Sequence, residues 1–346
     1  MRHKGDVEMM KKSSWLTLLL LSIVLVLAAC GGGDKATEEP KENDEDNNNS
    51  TANGESYTVG ISQIVEHPSL NAATEGFKQA LKDSGLDVTF DEQIAQGDNS
   101  LNTTIATNFV GSDVDLIFAN STPSAQAAMG ATSDIPVIFT SVTDAVGAEL
   151  IDSMDKPGKN ATGTIDLHPD TIKNTVAFLK DELGAKKVGM VYNAGEQNSV
   201  AQVEQVKEAA KEAGITIEEA SASNSSEVKQ AAESLASKVD AFYIITDNTV
   251  VSALESVIDV GETNEVPVIV GELDSVARGG LAAYGFEYKD IGYEAGEMAA
   301  KILKGEATAA ELAAQYPQNL KLVVNKKAAD ALGIEVKDSW GAEVID

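Results

Sequence analysis

Cysteine is almost missing from these 346 residues: Cys30 is the single one. No disulfide can staple the fold, and structural zinc loses its usual thiolate ligands. Histidine is scarce too, with His3, His67 and His168 far apart in sequence. The chain has no His-Glu-x-x-His, no Gly-x-Ser-x-Gly elbow and no phosphate loop with Gly-Lys-Ser/Thr. Neither a metal, a cofactor nor catalysis is therefore expected. Arginine occurs only as Arg2 and Arg278, and Ala277-Arg278-Gly279-Gly280 reads as a surface turn rather than a ligand clamp. Aromatic residues make up 5% of the chain, and few stand in the loops after strands, where a sugar ring would stack. A net charge of −29 with no basic cluster repels nucleic acid and favours solubility.

Long apolar runs are also lacking, apart from one. It extends from Leu16 to Ala29 behind Lys11 and Lys12, and at about 14 residues it is short for a membrane span of roughly 20. A basic start, a short apolar core and small residues before a cut describe a secretory signal peptide over 1–29. Leu27-Ala28-Ala29-Cys30 resembles a bacterial lipobox. Such a motif implies lipidation of Cys30, cleavage before it, and a protein tethered by lipid to the extracytoplasmic face of the cell membrane. An uncleaved anchor is the alternative. Residues 30–56 are acidic and rich in glycine and asparagine, with Asn47-Asn48-Asn49 at their centre. They carry too little apolar surface to offset ordering entropy and are expected to be a disordered linker.

From Tyr57 onward, apolar strands alternate with helices. Tyr57–Ser62, Val88–Ile94, Val114–Ala119 and Pro136–Val142 read as strands, and Ser69–Ser84 as a helix with Ala73, Phe77, Ala80 and Leu81 on one face. After an extended Thr162–Leu167 the rhythm restarts, with strands expected at Lys187–Tyr192, Ile215–Glu219, Ala241–Thr246 and Val266–Gly271. Helices are expected over Thr249–Thr263, Ile291–Lys304 and Ala307–Tyr316. This pattern predicts an α/β fold of two doubly wound lobes with parallel sheets.

Ligands of open parallel sheets sit beyond the carboxyl ends of strands. The residues expected there are Gln63, Ile64, Ser121, Thr122, Ser141, Asp144, Glu196, Asn198, Ser199, Asp247, Asn248 and Glu272. Hydroxyl and amide side chains at helix starts favour an anion beside free backbone N–H groups. Thr122-Pro123 and Asn198-Ser199 are such starts. Carboxylates on the same rim suit a cation. Together the two features suit a free amino acid, although each of these residue types also caps helices without any ligand. The expected roles are carboxylate binding by Ser121, Thr122, Asn198 and Ser199, and ammonium binding by Asp144, Asp247 and Glu272. Gln63 and Ile64 would border the side-chain pocket.

Several long motifs point further. They are Tyr57–Asn71 (YTVGISQIVEHPSLN), Asn120–Ala125 (NSTPSA), Pro136–Val146 (PVIFTSVTDAV), Tyr192–Ser199 (YNAGEQNS) and Gly279–Tyr288 (GGLAAYGFEY). Over Tyr57–Trp340 the chain resembles the substrate-binding lipoproteins of ABC importers. These have the periplasmic-binding-protein type I fold, and the family includes tryptophan- and tyrosine-binding members. Two rim loops depart from the family pattern: Asp144-Ala145-Val146 replaces Asp-Pro-Val, and Asn193-Ala194-Gly195-Glu196 replaces Asn-Pro-x-Glu. The resemblance implies three crossings between lobes, near Ile165–His168, Leu281–Tyr284 and Pro317–Leu320. Lobe one would be 57–165 plus 284–316, and lobe two 166–283 plus 317–346. It further implies hinge closure on a small ligand, most simply an aromatic amino acid such as tryptophan or tyrosine. Delivery to an ABC permease in the membrane would follow, with the binding protein expected to be a monomer. A sensor lipoprotein of the same fold and a lipid-anchored hydrolase are the alternatives.

Overall fold

A computed structural model describes residues 56–346. The expected signal peptide, Cys30 and nearly all of the expected linker lie outside the described residues. The first half contains β1 (Ser56–Gln63), α1 (Pro68–Asp83), β2 (Asp87–Ile94), α2 (Asn99–Gly111), β3 (Leu116–Asn120), α3 (Thr122–Ala131), β4 (Val137–Val142) and β5 (Ala161–Ile165). These strands form one parallel sheet in the order β2-β1-β3-β4-β5. β3, β4 and β5 are buried along their whole length, which is why β3 and the start of β4 read as apolar runs rather than alternating ones.

The second half begins with α4 (Thr171–Asp181), β6 (Lys187–Tyr192), α5 (Gln197–Ala213), β7 (Thr216–Ser221), α6 (Val228–Ala236), β8 (Ala241–Ile244), α7 (Asn248–Ser252) and α8 (Leu254–Asn264). It continues through β9 (Val268–Val270), α9 (Leu273–Ala277), β10 (Ala282–Gly285), α10 (Tyr288–Leu303), β11 (Lys321–Asn325), α11 (Lys326–Ala331) and β12 (Glu343–Ile345). Its sheet has the order β12-β11-β10-β9-β8-β6-β7. It is parallel except where β11 runs antiparallel to β10. The two α/β lobes expected from the alternation are therefore present, with one reversed strand pair.

α10 follows a strand of the second sheet yet packs on α1 of the first. Gly292 makes this possible: a Cβ there would run into the backbone of Ala73. Phe77, on the inner face of α1, stacks on Phe118 of β3 with ring centroids 3.8 Å apart. The chain leaves the first sheet after Ile165. It returns at Phe286–Glu287, since Ala282–Gly285 still belongs to the second sheet, and leaves again before Lys321. Phe286 and Tyr288 stack at 5.5 Å in the first lobe's core and anchor the second of these passages.

Three expectations are corrected. Ala307–Tyr316 forms turns, not a helix. Its backbone bonds outward instead: Gln315 N donates to Gly163 O, Ile165 N to Gln315 O, and Ala314 N to Met154 O. Thr249–Thr263 is two helices, interrupted at Ala253 with φ −122°. The second passage between lobes, expected near Leu281–Tyr284, lies at Phe286–Glu287, because Ala282–Gly285 pairs in the second sheet. Among the described residues no helix is long and apolar enough to cross a membrane.

Candidate functional site

The strand ends of the two sheets face one another across a cleft, and α3 meets α5 there. One cavity of about 340 Å³ opens between Ile64, Val65 and Pro123 of the first lobe and Asn193, Glu196 and Thr249 of the second. Another, of about 360 Å³, opens on the hinge side between Asp144, Val146 and Tyr316 and the opposing Leu167 and His168. A larger cavity of about 590 Å³ lies outside the cleft, between α1, β2 and Lys289. None of the strand-end residues reaches it, so its size does not make it the site.

The first lobe's rim is built around two serines with strained backbone. Ser121 has φ 137° and Ser141 φ 55°, values that non-glycine residues adopt only where the surroundings impose them. Ser121 Oγ accepts from Ser124 N at 3.1 Å and so caps α3. Thr122 Oγ1, Ser141 Oγ and Ser62 Oγ are buried without a hydrogen-bond partner. Across the cleft, Asn198 Oδ1 and Gln197 Oε1 at the start of α5 are in the same condition. Buried polar atoms are nearly always paired, which sets these five apart from the bonded side chains around them.

Other sequence-predicted residues serve the frame. Gln63 donates to Val65 O at 2.9 Å and Asn71 Oδ1 at 2.8 Å, and accepts from Thr74 and Asn120. Its amide is thereby fully engaged within the first lobe. Ile64 is core and cavity wall at once.

Asp247 caps α7. It accepts from Val250 N at 2.8 Å, and from Asn193 N and Ser199 Oγ at 2.6 Å each. Burial, reinforced by the charge of Glu196, pushes Asp247 up to about 7. Glu196 accepts from Asn248 Nδ2 at 2.6 Å and Thr249 Oγ1 at 2.8 Å, and from both of their backbone N–H groups. Ser199, Asn248 and the two acids thus tie the loops after β6 and β8 to each other. Asp144 accepts from Gly147 N at 2.8 Å and lines the hinge-side cavity.

Glu272 looks across the cleft. Ser69 Oγ of α1 donates to it at 2.7 Å. Ser69, His67, Asp166 and Asp274 were not singled out from the sequence, because nothing local distinguishes them; their partners lie far away along the chain. Asp166, on the first passage between lobes, accepts from Thr143 Oγ1 at 3.0 Å and Tyr288 OH at 2.9 Å, and burial raises it to about 6.

The arrangement is suited to binding. Hydroxyls, amides and a helix N-terminus converge on a closed cleft, while the described residues contain no cluster of His, Cys, Asp and Glu that could hold a metal ion.

Comparisons with known proteins agree. A tyrosine-binding protein of Clostridioides difficile is 41% identical over 290 residues, covering 82% of this chain and 83% of that protein. A Streptococcus structure solved with L-Trp overlays with a TM-score of 0.80 at 33% identity, covering 84% of this chain and 100% of the other. A ligand-free, open substrate-binding protein of C. difficile, 38% identical over 84% of this chain and 99% of the other, overlays at only 0.64. The less identical but liganded protein superposes better than the open one, in line with the Ser69–Glu272 bond across the cleft. The fold is that of periplasmic binding proteins of type I. The family described as ABC transporter substrate-binding protein matches residues 58–343, and the chain belongs to it.

Proposed function

We propose that this protein is an extracytoplasmic solute-binding lipoprotein of an ABC importer. It captures a free aromatic amino acid, tyrosine or tryptophan, and delivers it to a membrane permease. The lobes are 57–165 plus 286–316 and 166–285 plus 317–346, since Ala282–Gly285 pairs in the second sheet, and Cys30 carries the lipid. The observation that carries this reading is the meeting of the α3 and α5 N-termini across a closed cleft, with unpartnered polar atoms on both sides.

The ligand carboxylate lies at the start of α3, where Thr122 Oγ1 donates and the helix dipole favours negative charge. Asn198 Oδ1 accepts from the ammonium, and Ser141 Oγ adds a further contact. Asp144, Glu196 and Asp247 supply the surrounding negative field, with Glu196 and Asp247 also rigidifying the second lobe. Because the contacts come from both lobes, only the closed form satisfies all of them, and ligand shifts the population towards it. Binding relatives named for tyrosine and tryptophan support the aromatic side chain.

Calorimetric titration with L-tyrosine and L-tryptophan tests the ligand, with tyramine and N-acetyl-tyrosine as controls. Tight binding of the free amino acids and loss with both controls is the expected result. Equal binding of tyramine removes the carboxylate from the reading. Radiolabelled palmitate in wild type but not in Cys30→Ser tests the anchor, and loss of amino-acid uptake in a deletion strain tests the transport role against sensing.

A further inference from the structure

Ser69 stands at the start of α1 in the first lobe, whereas Glu272 and Asp274 stand at the start of α9 in the second. Ser69 Oγ is 2.7 Å from Glu272 Oε2 and 2.9 Å from Asp274 Oδ2. A serine hydroxyl has one proton, and an ionised carboxylate has none. Two well-made hydrogen bonds at this oxygen therefore require a second proton, held by one of the carboxyl groups. Ser275 does not supply it, because its N–H and its hydroxyl both serve Glu272. Neither carboxyl has a lysine, arginine or histidine ion-pair partner among the described residues. Two like charges converging on one buried oxygen resist ionising together. We propose that Ser69, Glu272 and Asp274 form an interlobe latch in which Glu272 keeps its proton, so that closing the cleft takes up that proton from solvent.

The elements around the latch leave it without a cation. Arg278, at the end of α9, is held by Glu255 of α8 at 2.8 and 2.9 Å. Tyr288 of α10 donates to Asp166. Lys321 of β11 is paired with Glu287 and Glu343. β9 brings no acid or base, and β10 brings only Tyr284. Burial raises Glu272, in keeping with a retained proton. His67, at the N-cap position of α1 but without a side-chain cap bond, works in the opposite sense. Burial, aided by Arg278, lowers its imidazole from 6.5 to about 3, so closing expels any proton it carries. Below about pH 6.5 the release from His67 offsets the uptake by the latch. Above that pH only the uptake remains, and the closed form weakens as pH rises.

The latch rests on the binding-protein reading but not on the identity of the ligand. L-tyrosine is the probe, titrated calorimetrically into the full chain from about pH 5 to 9 in wild type, Glu272→Gln and Asp274→Asn. The wild-type Kd is expected to rise by up to about tenfold per pH unit above about pH 6.5. Glu272→Gln places an amide where the protonated acid stood and loses that rise, while keeping the affinity seen at pH 6.5. The same pH profile in wild type and both variants overturns the latch. No heat from L-tyrosine at any pH overturns the ligand assignment instead. The closed fraction of the unliganded chain, read by energy transfer between dyes on the two lobes, then decides the latch. A fraction that falls with rising pH in wild type but not in Glu272→Gln supports it, and a wild-type fraction that does not change overturns it.

Discussion

Ser199 Oγ donates to Asp247 Oδ2 at 2.6 Å, joining the first turn of α5 to the cap of α7 across 48 positions of sequence. The acid is completely buried, and its remaining bonds go to Asn193 N and Val250 N. All its known donors come from the protein. This makes Asp247 a tie between loops before it is anything to a ligand.

Replacing Asp247 with Ala should therefore act on stability. It removes the cap of α7 and leaves a buried hydroxyl and a backbone N–H without an acceptor. The cost is about 2–4 kcal/mol, or roughly 4–16 °C in Tm for a chain of this size. Affinity for L-tyrosine and for its analogue lacking the amino group should fall by similar factors. A selective loss for the amino acid would put Asp247 in direct contact with the ammonium, as the sequence alone suggested.

The opposite pattern is expected at the unpartnered atoms. Thr122→Val removes a hydroxyl with no intramolecular partner and should change Tm little. Asn198→Ala removes the unpartnered Oδ1 together with the Nδ2 that donates to Glu196 and Ser199 at 3.3 Å each, and should lower Tm modestly. Each lost ligand hydrogen bond should cost about 1.5–3 kcal/mol of binding where the ligand group is charged, or roughly 10–150-fold in Kd. Titration of both variants beside their melting curves checks this. A large fall in Tm with unchanged Kd would show these atoms to be structural.

Much of the fold was legible because strand and helix periodicities differ and because glycines and caps mark the ends. Phe77, Ala80 and Leu81 at helical spacing gave a face that is indeed buried. The rim was legible for the same reason: the residue after each parallel strand sits at the sheet's carboxyl end whatever its partners are. What each rim residue does was not legible. Glu196, Asp247 and Glu272 look alike in sequence, yet the first two close loops within one lobe and the third reaches Ser69 across 203 positions. Hydrogen bonds between distant segments leave no local pattern. Ala307–Tyr316 misled for a related reason. Its residues suit a helix, but the edge of β5, last in its sheet, offers its backbone better partners.

Asp166 carries the last prediction. Burial raises its carboxyl from 3.8 to about 6, against the lowering effect of the Tyr288 and Thr143 hydroxyls. The folded state holds this proton more tightly than the unfolded state. At pH values below about 4 both states are protonated, and the contribution to stability is complete. As pH rises from about 4 to 6 the unfolded chain ionises first, so stability falls; above about 6 the loss is complete, on the order of 3 kcal/mol. Asp166→Asn cannot ionise and should flatten this part of the profile. Melting curves of both proteins, taken between about pH 4 and 7.5, should converge at the acidic end or favour wild type there. The variant should then gain on wild type as the pH rises. A difference in Tm that stays constant across the range would mean that Asp166 keeps the same proton in both states, and the buried hinge carboxyl would then have no part in the protein's response to pH.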